Sequence, residues 1–115
     1  MALSPEDIQG QRFTPVRLRH GYAMDAVDAF LDEAAAAHLA LSTENHDLET
    51  RRVAGSEVPG GPASTRMMGP DAVRDARFEL VRWREGYAIG EVDEFLVRLE
   101  HSLRELHERN LWLHG

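Results

Sequence analysis

Two arginine-rich segments hold the residues whose types and spacing suit chemistry. Arg12, Arg17 and Arg19 flank Leu18 in the first, and Arg77, Arg82 and Arg84 flank Trp83 in the second. Guanidinium groups around one apolar side chain suit contact with an anionic lipid surface. Each cation near such a surface contributes about 1 kcal/mol, and inserting Leu18 or Trp83 adds roughly 1.5 to 3 kcal/mol. One tip alone anchors marginally, so useful binding needs several tips acting together. Residues 12 to 20 carry three Arg and no acid, whereas residues 23 to 50 carry seven acidic residues and no Lys or Arg. A basic end would meet the lipid while an acidic stem stays in water. Glu79 and Glu85 dilute the second segment. Arg17, Leu18, Arg19, Arg82, Trp83 and Arg84 are therefore the candidate membrane contacts. The competing expectation is that Leu18 and Trp83 pack inside their own turns while the arginines pair with carboxylates.

Other chemistries find little support. The chain has no Cys, which excludes disulfides, thiolate nucleophiles and thiolate metal sites. Its six His, at 20, 38, 46, 101, 107 and 114, include no pair four apart, so solvated helix positions are expected rather than a metal centre. Gly60-Gly61 sits between prolines and is not a phosphate-binding loop. Asp28 and Asp93 fall in the first turns of helices, where the dipole favours a carboxylate, and no nucleophile accompanies them. No enzymatic activity, catalytic residue, cofactor or metal is expected. Twenty acidic residues against thirteen basic ones give a net charge of -7, which disfavours nucleic acid as a partner. All thirteen basic residues are Arg, a compositional hint of a GC-rich bacterial genome. The first residues lack a basic and apolar leader and no run is long enough to span a bilayer, so a cytoplasmic location is expected.

An internal repeat organises these residues. A shift of 65 positions sets residues 5–33 against 70–98 with 13 of 29 identical, including both Arg-Phe pairs, both Gly-Tyr-Ala runs and both Val-Asp-x-Phe-Leu runs. Composition alone would give roughly two or three. Each copy reads as a short capped helix, then an arginine-rich strand-like or turn segment, then a long helix. Ser4, Pro5 and Asp7 form a good helix start, and Gly69-Pro70-Asp71 a weaker one. Gly21 and Gly86, at matching places, are expected to require positive φ. Phe13, Phe78, Tyr22, Tyr87, Phe30 and Phe95 are expected to pack the turns onto the helix starts.

The long helices are expected over about residues 24 to 52 and 89 to 113. Val27, Ala34, Leu41 and Leu48 recur every seven residues, as do Val92, Leu99, Leu106 and Leu113, giving a-type positions of a heptad. Three residues on, the d-type positions are Phe30, Ala37 and Glu44, matched by Phe95, Ser102 and Arg109. Leu31, Leu96 and Leu103 widen the stripe at e-type positions. The helix-pairing set is thus Val27, Phe30, Leu31, Ala34, Leu41, Leu48, Val92, Phe95, Leu96, Leu99, Leu103, Leu106 and Leu113. Ala34 against Leu99 is a small-against-large match that favours pairing the copies with each other. Asn45 and Asn110 also correspond; a facing pair would fix register, although exposure to solvent is the favoured reading. The expected fold is all-α, with residues 1–52 as the first repeat, 53–69 as a flexible linker and 70–115 as the second repeat. A 17-residue linker reaches ~55 Å against a helix of about 38 Å. Parallel pairing within one chain is therefore possible, while an antiparallel hairpin and pairing between chains stay open.

The repeated pattern resembles the N-terminal domain of DivIVA proteins, bacterial scaffolds of cell poles and division sites. The residues that carry the resemblance are Leu3-Ser4-Pro5-Glu6-Asp7-Ile8, Arg12-Phe13-Thr14, Arg17-Leu18-Arg19-His20-Gly21-Tyr22 and residues 27–33. In the second copy they are Phe78, Arg84, Gly86-Tyr87 and residues 92–96. The resemblance covers about half of the chain. It implies an intertwined parallel dimer whose crossed turns offer an apolar residue and an Arg to the inner face of the plasma membrane, with a coiled coil for assembly. Position by position, Leu18 and Arg19 match those contacts, as do Trp83 and Arg84. Ala23 and Ala88 depart from the acidic residue usual after Gly-Tyr, and the family's long C-terminal coiled coil is missing here, which points to an accessory rather than a main scaffold. The implied function is a non-enzymatic scaffold or adaptor, peripheral on the cytoplasmic membrane at septum or pole. It would self-associate, as an internal pseudo-dimer or homodimer, and recruit division or cell-wall growth proteins. The alternative is a soluble coiled-coil adaptor that pairs with itself or with longer family members.

Overall fold

A computed structural model describes residues 3–54 and 68–114. Helix α1 (Pro5–Gln9) begins at a capping box: the Asp7 amide donates to Ser4 Oγ at 3.1 Å and the Ser4 amide donates to Asp7 Oδ2 at 3.0 Å. Its counterpart α3 (Pro70–Arg74) starts at Gly69 with no side-chain cap. Strands β1 (Pro15–Val16) and β2 (Gly21–Ala23) lead into the long helix α2 (Met24–Ala54), and β3 (Leu80–Val81) and β4 (Gly86–Tyr87) lead into α4 (Ile89–His114). Most of the linker expected over 53–69 lies outside the described residues, and α2 runs two residues beyond the expected end of the first repeat.

The expectation of an all-α fold is corrected. About two thirds of the described residues are helical, and they also form a four-stranded antiparallel sheet in the order β1-β4-β2-β3. Strands from the two repeats alternate, so no strand pairs with one from its own repeat. Pro15 faces Tyr87 and Tyr22 faces Leu80, pairs that interchange when the repeats are exchanged, and Tyr22 faces Tyr87 across the pseudo-twofold axis. The Ala23 amide donates to the Glu79 carbonyl and the Ala88 amide to the Thr14 carbonyl, both at 2.9 Å, extending the outer pairings. Segments of two or three residues cannot satisfy their own backbone groups, and each repeat supplies the partners that the other lacks. Read singly, a repeat gives no sign of this. Pro15, which has no amide to donate, is accommodated because β1 is an edge strand.

Neither Gly21 nor Gly86 has φ in the left-handed range, contrary to expectation. They are needed for close approach. A Cβ on Gly21 would lie 2.7 Å from Val16 Cγ2 and 2.9 Å from the Tyr87 carbonyl oxygen; one on Gly86 would meet Val81 and Tyr22 at 2.8 and 2.9 Å.

The long helices pack in parallel. Asn110 donates from Nδ2 to Asn45 Oδ1 at 2.9 Å, and these are equivalent positions of the two repeats, so the helices are in register. The particle measures 59 × 20 × 18 Å, with the sheet at the end where both long helices start. The seam differs from the expected one. Val27, Leu31, Ala34, His38, Leu41, Asn45 and Leu48 are all buried, a spacing of four, three, four, three. The positions four residues after the first, expected only to widen the stripe, therefore run the length of the seam, while Ala37, Phe95 and Ser102 of the expected d-type set are buried as well. On the other helix Val92, Leu99, Leu103, Asn110 and Leu113 are buried, with Leu96 and Leu106 half-buried. Phe30 is half-buried and Phe95 buried beneath the sheet, whereas Glu44 and Arg109 sit on the flanks.

Candidate functional site

The two connections that cross at the head, Arg17–His20 and Arg82–Glu85, carry the candidate membrane contacts. Because β4 lies between β1 and β2, the first connection must pass a strand of the second repeat, and the reverse holds for the second. Each turn is therefore clamped by the other repeat. Leu18 is 74% exposed and Trp83 is 83% exposed, so neither packs inside its turn. Leu18 also has φ of +62°, a left-handed conformation that costs a leucine roughly 1–2 kcal/mol. The backbone is held so that an apolar side chain faces water, an arrangement typical of functional sites.

The arginines divide in their roles. Arg17 reaches the other repeat, donating from Nε and Nη2 to Glu85 Oε2 at 3.2 and 3.1 Å. Arg84 Nη2 lies 3.9 Å from Glu79 Oε2. Arg82 stacks over Trp83, with its guanidinium carbon 5.4 Å from the ring centroid. Arg19 makes no ion pair among the described residues. The head thus combines a leucine, an arginine-stacked tryptophan and two guanidiniums, those of Arg19 and Arg82, with no carboxylate partner among the described residues, and its two exposed salt links are worth little against competing phosphate.

Below the turns lies a crossed aromatic layer. Phe13 packs on Tyr87 and Phe95 of the second repeat, with ring centroids 5.3 and 5.8 Å apart. Phe78 packs on Tyr22 and Phe30 of the first, at 5.3 and 5.4 Å. Tyr22 donates its hydroxyl to Asp93 and Tyr87 donates its own to Asp28, both at 2.7 Å. Burial, then the bond to the aspartate, pushes both phenols up to about 12. The Thr14 amide donates to Glu91 Oε1 at 2.8 Å, which lowers the carboxyl of Glu91. These links fix the base of the turns on both helices. The reciprocal Tyr–Asp bonds escaped the sequence reading, yet a signal existed, since Tyr and Asp recur six residues apart in both repeats.

Away from the head, three polar residues expected in solvent are buried in the seam. His38 is 4% exposed, with Nε2 3.0 Å from Ser102 Oγ and Nδ1 3.4 Å from Ser42 Oγ. Burial lowers its pKa, and the carboxylates of Asp7 and Glu6 oppose that shift only partly. Asn45 and Asn110 are 5% and 0% exposed, and Asn45 also donates to the Leu106 carbonyl at 3.0 Å. Among the described residues no three or more His, Asp or Glu are grouped to hold a metal ion, and no helix is long and apolar enough to cross a membrane.

Compared with known proteins, the chain matches no family model, no curated protein and no solved structure.

Proposed function

We propose that the protein is a non-enzymatic, DivIVA-like adaptor that docks its crossed turns on the anionic inner surface of the bacterial membrane at septum or pole. Its acidic stem is then free to position division or cell-wall growth proteins. The observation that carries this reading is the outward placement of Leu18 and Trp83 on turns locked by the other repeat. Exposed apolar tips on a rigid, arginine-bearing base reach lipid without loss of conformational freedom. The ion pairs Arg17–Glu85 and Arg84–Glu79 favour a second reading, a soluble coiled-coil adaptor, because they neutralise part of the head's positive charge. Co-sedimentation with vesicles of phosphatidylglycerol and phosphatidylcholine separates the two. The wild-type chain is expected to pellet with anionic vesicles and not with pure phosphatidylcholine, and Leu18→Ser plus Trp83→Ser to lose at least tenfold in binding. A chain that never pellets, or a double variant that pellets like the wild type, supports the soluble reading and overturns the first.

A further inference from the structure

The two long helices are equivalent in position, identical at some seam positions and complementary in volume or charge at others. At one buried layer, Ala34 in α2 corresponds to Leu99 in α4, both 0% exposed. One turn on, Ala37-His38 corresponds to Ser102-Leu103, and His38 bonds the Ser102 hydroxyl across the seam. Toward the far end, Glu44 and Glu49 of α2 correspond to Arg109 and His114 of α4. Arg109 pairs with Glu49, and His114 Nε2 lies 3.3 Å from Glu44 Oε1. At the head, Arg17 meets Glu85, which stands where the first repeat has His20.

We infer that this seam is heterotypic: the first repeat's helix selects a helix of second-repeat chemistry and rejects another copy of itself. Two first-repeat helices in this register would set Ala34 against Ala34, leaving a void, and Glu44 against Glu49, bringing acids together. Two second-repeat helices would crowd Leu99 against Leu99 and leave Arg109 without its glutamate partner. Volume therefore penalises both like pairs, charge repulsion penalises the first and loss of the Arg109–Glu49 pair penalises the second. The partner that fits α2 is a helix with a large aliphatic residue, a serine-leucine step, and an arginine and a histidine at these heptad positions. A second copy's own first repeat does not qualify. This inference does not depend on lipid binding.

Exchange of residues between the repeats tests it in the full chain. One variant gives α2 the second-repeat residues (Ala34→Leu, Glu44→Arg, Glu49→His), another gives α4 the first-repeat residues (Leu99→Ala, Arg109→Glu, His114→Glu), and a third carries all six changes. Thermal midpoints are read by circular dichroism at low and high salt. Each one-sided variant is expected to fall by about 10 °C or more, and the six-fold exchange to recover at least half of the summed loss. Recovery of less than half means that the changes act independently and overturns the inference. The four changes at 44, 49, 109 and 114 alone, away from the Ala34–Leu99 layer, provide the same cycle should the core changes prevent folding. Their one-sided losses are expected to shrink at high salt, and the same criterion of half recovery decides.

Discussion

Each tyrosine of the two Gly-Tyr steps gives its hydroxyl to an aspartate on the other repeat's helix, so a side chain with an ordinary local role becomes a clamp between repeats. Deprotonation would place phenolate against carboxylate. With the folded phenols raised to about 12 from an ordinary 10, the stabilising effect is fully present below pH 10 and is lost as pH rises through 12. An ultraviolet titration of phenolate is therefore expected to show both tyrosines ionising near pH 12 as the fold loosens; ionisation near 10 with the fold intact contradicts these bonds. The tyrosines' placement in the aromatic layer was legible from their recurrence, but their bonding was not, because a hydroxyl's partner lies 71 or 59 residues away in sequence. Gly21 and Gly86 illustrate the same limit. Their recurrence marked them as necessary, and only the crossing of the strands shows that the need is for close approach rather than for positive φ.

At the scale of elements, the long helices and their heptads could be read because Leu and Val recur every seven residues. The seam's second position could not, because its later members are His38, Asn45 and Asn110, which hydropathy assigns to solvent. Phe30 and Phe95 drew the stripe toward a side that is buried near the helix starts, at Phe95, Ala37 and Ser102, and leaves the seam at Glu44 and Arg109. The sheet was hidden for a different reason: strands of two or three residues have no periodicity, and they exist only through pairing between repeats. The Asn pair fixes register at a cost in stability. Asn110→Leu leaves the Asn45 carbonyl oxygen without its Asn110 donor and is expected to lower unfolding stability by about 1–3 kcal/mol in a denaturant titration. Adding Asn45→Leu removes the carbonyl oxygen left without that donor and is expected to restore most of that loss. A double variant less stable than the single one contradicts this account of the pair.

For the molecule as a whole, fusing two repeats builds a two-lobed head that one chain completes by itself. Its turns are non-equivalent, Leu18 on one side and Trp83 on the other, and the stem below is acidic along α2. The net charge of -7 thus conceals an arginine-rich head above an acidic stem, and on the proposed reading the head meets an anionic surface with the stem held away from it. The central claim is that this head enters lipid, and Trp83 reports on it directly. In a Trp112→Phe background Trp83 is the sole indole, since the chain has only two Trp. On addition of phosphatidylglycerol vesicles its emission is expected to shift to the blue and to be quenched by lipids brominated on the acyl chain. Emission that stays at the water-exposed position, with the indole still open to acrylamide at saturating anionic lipid, would contradict the claim.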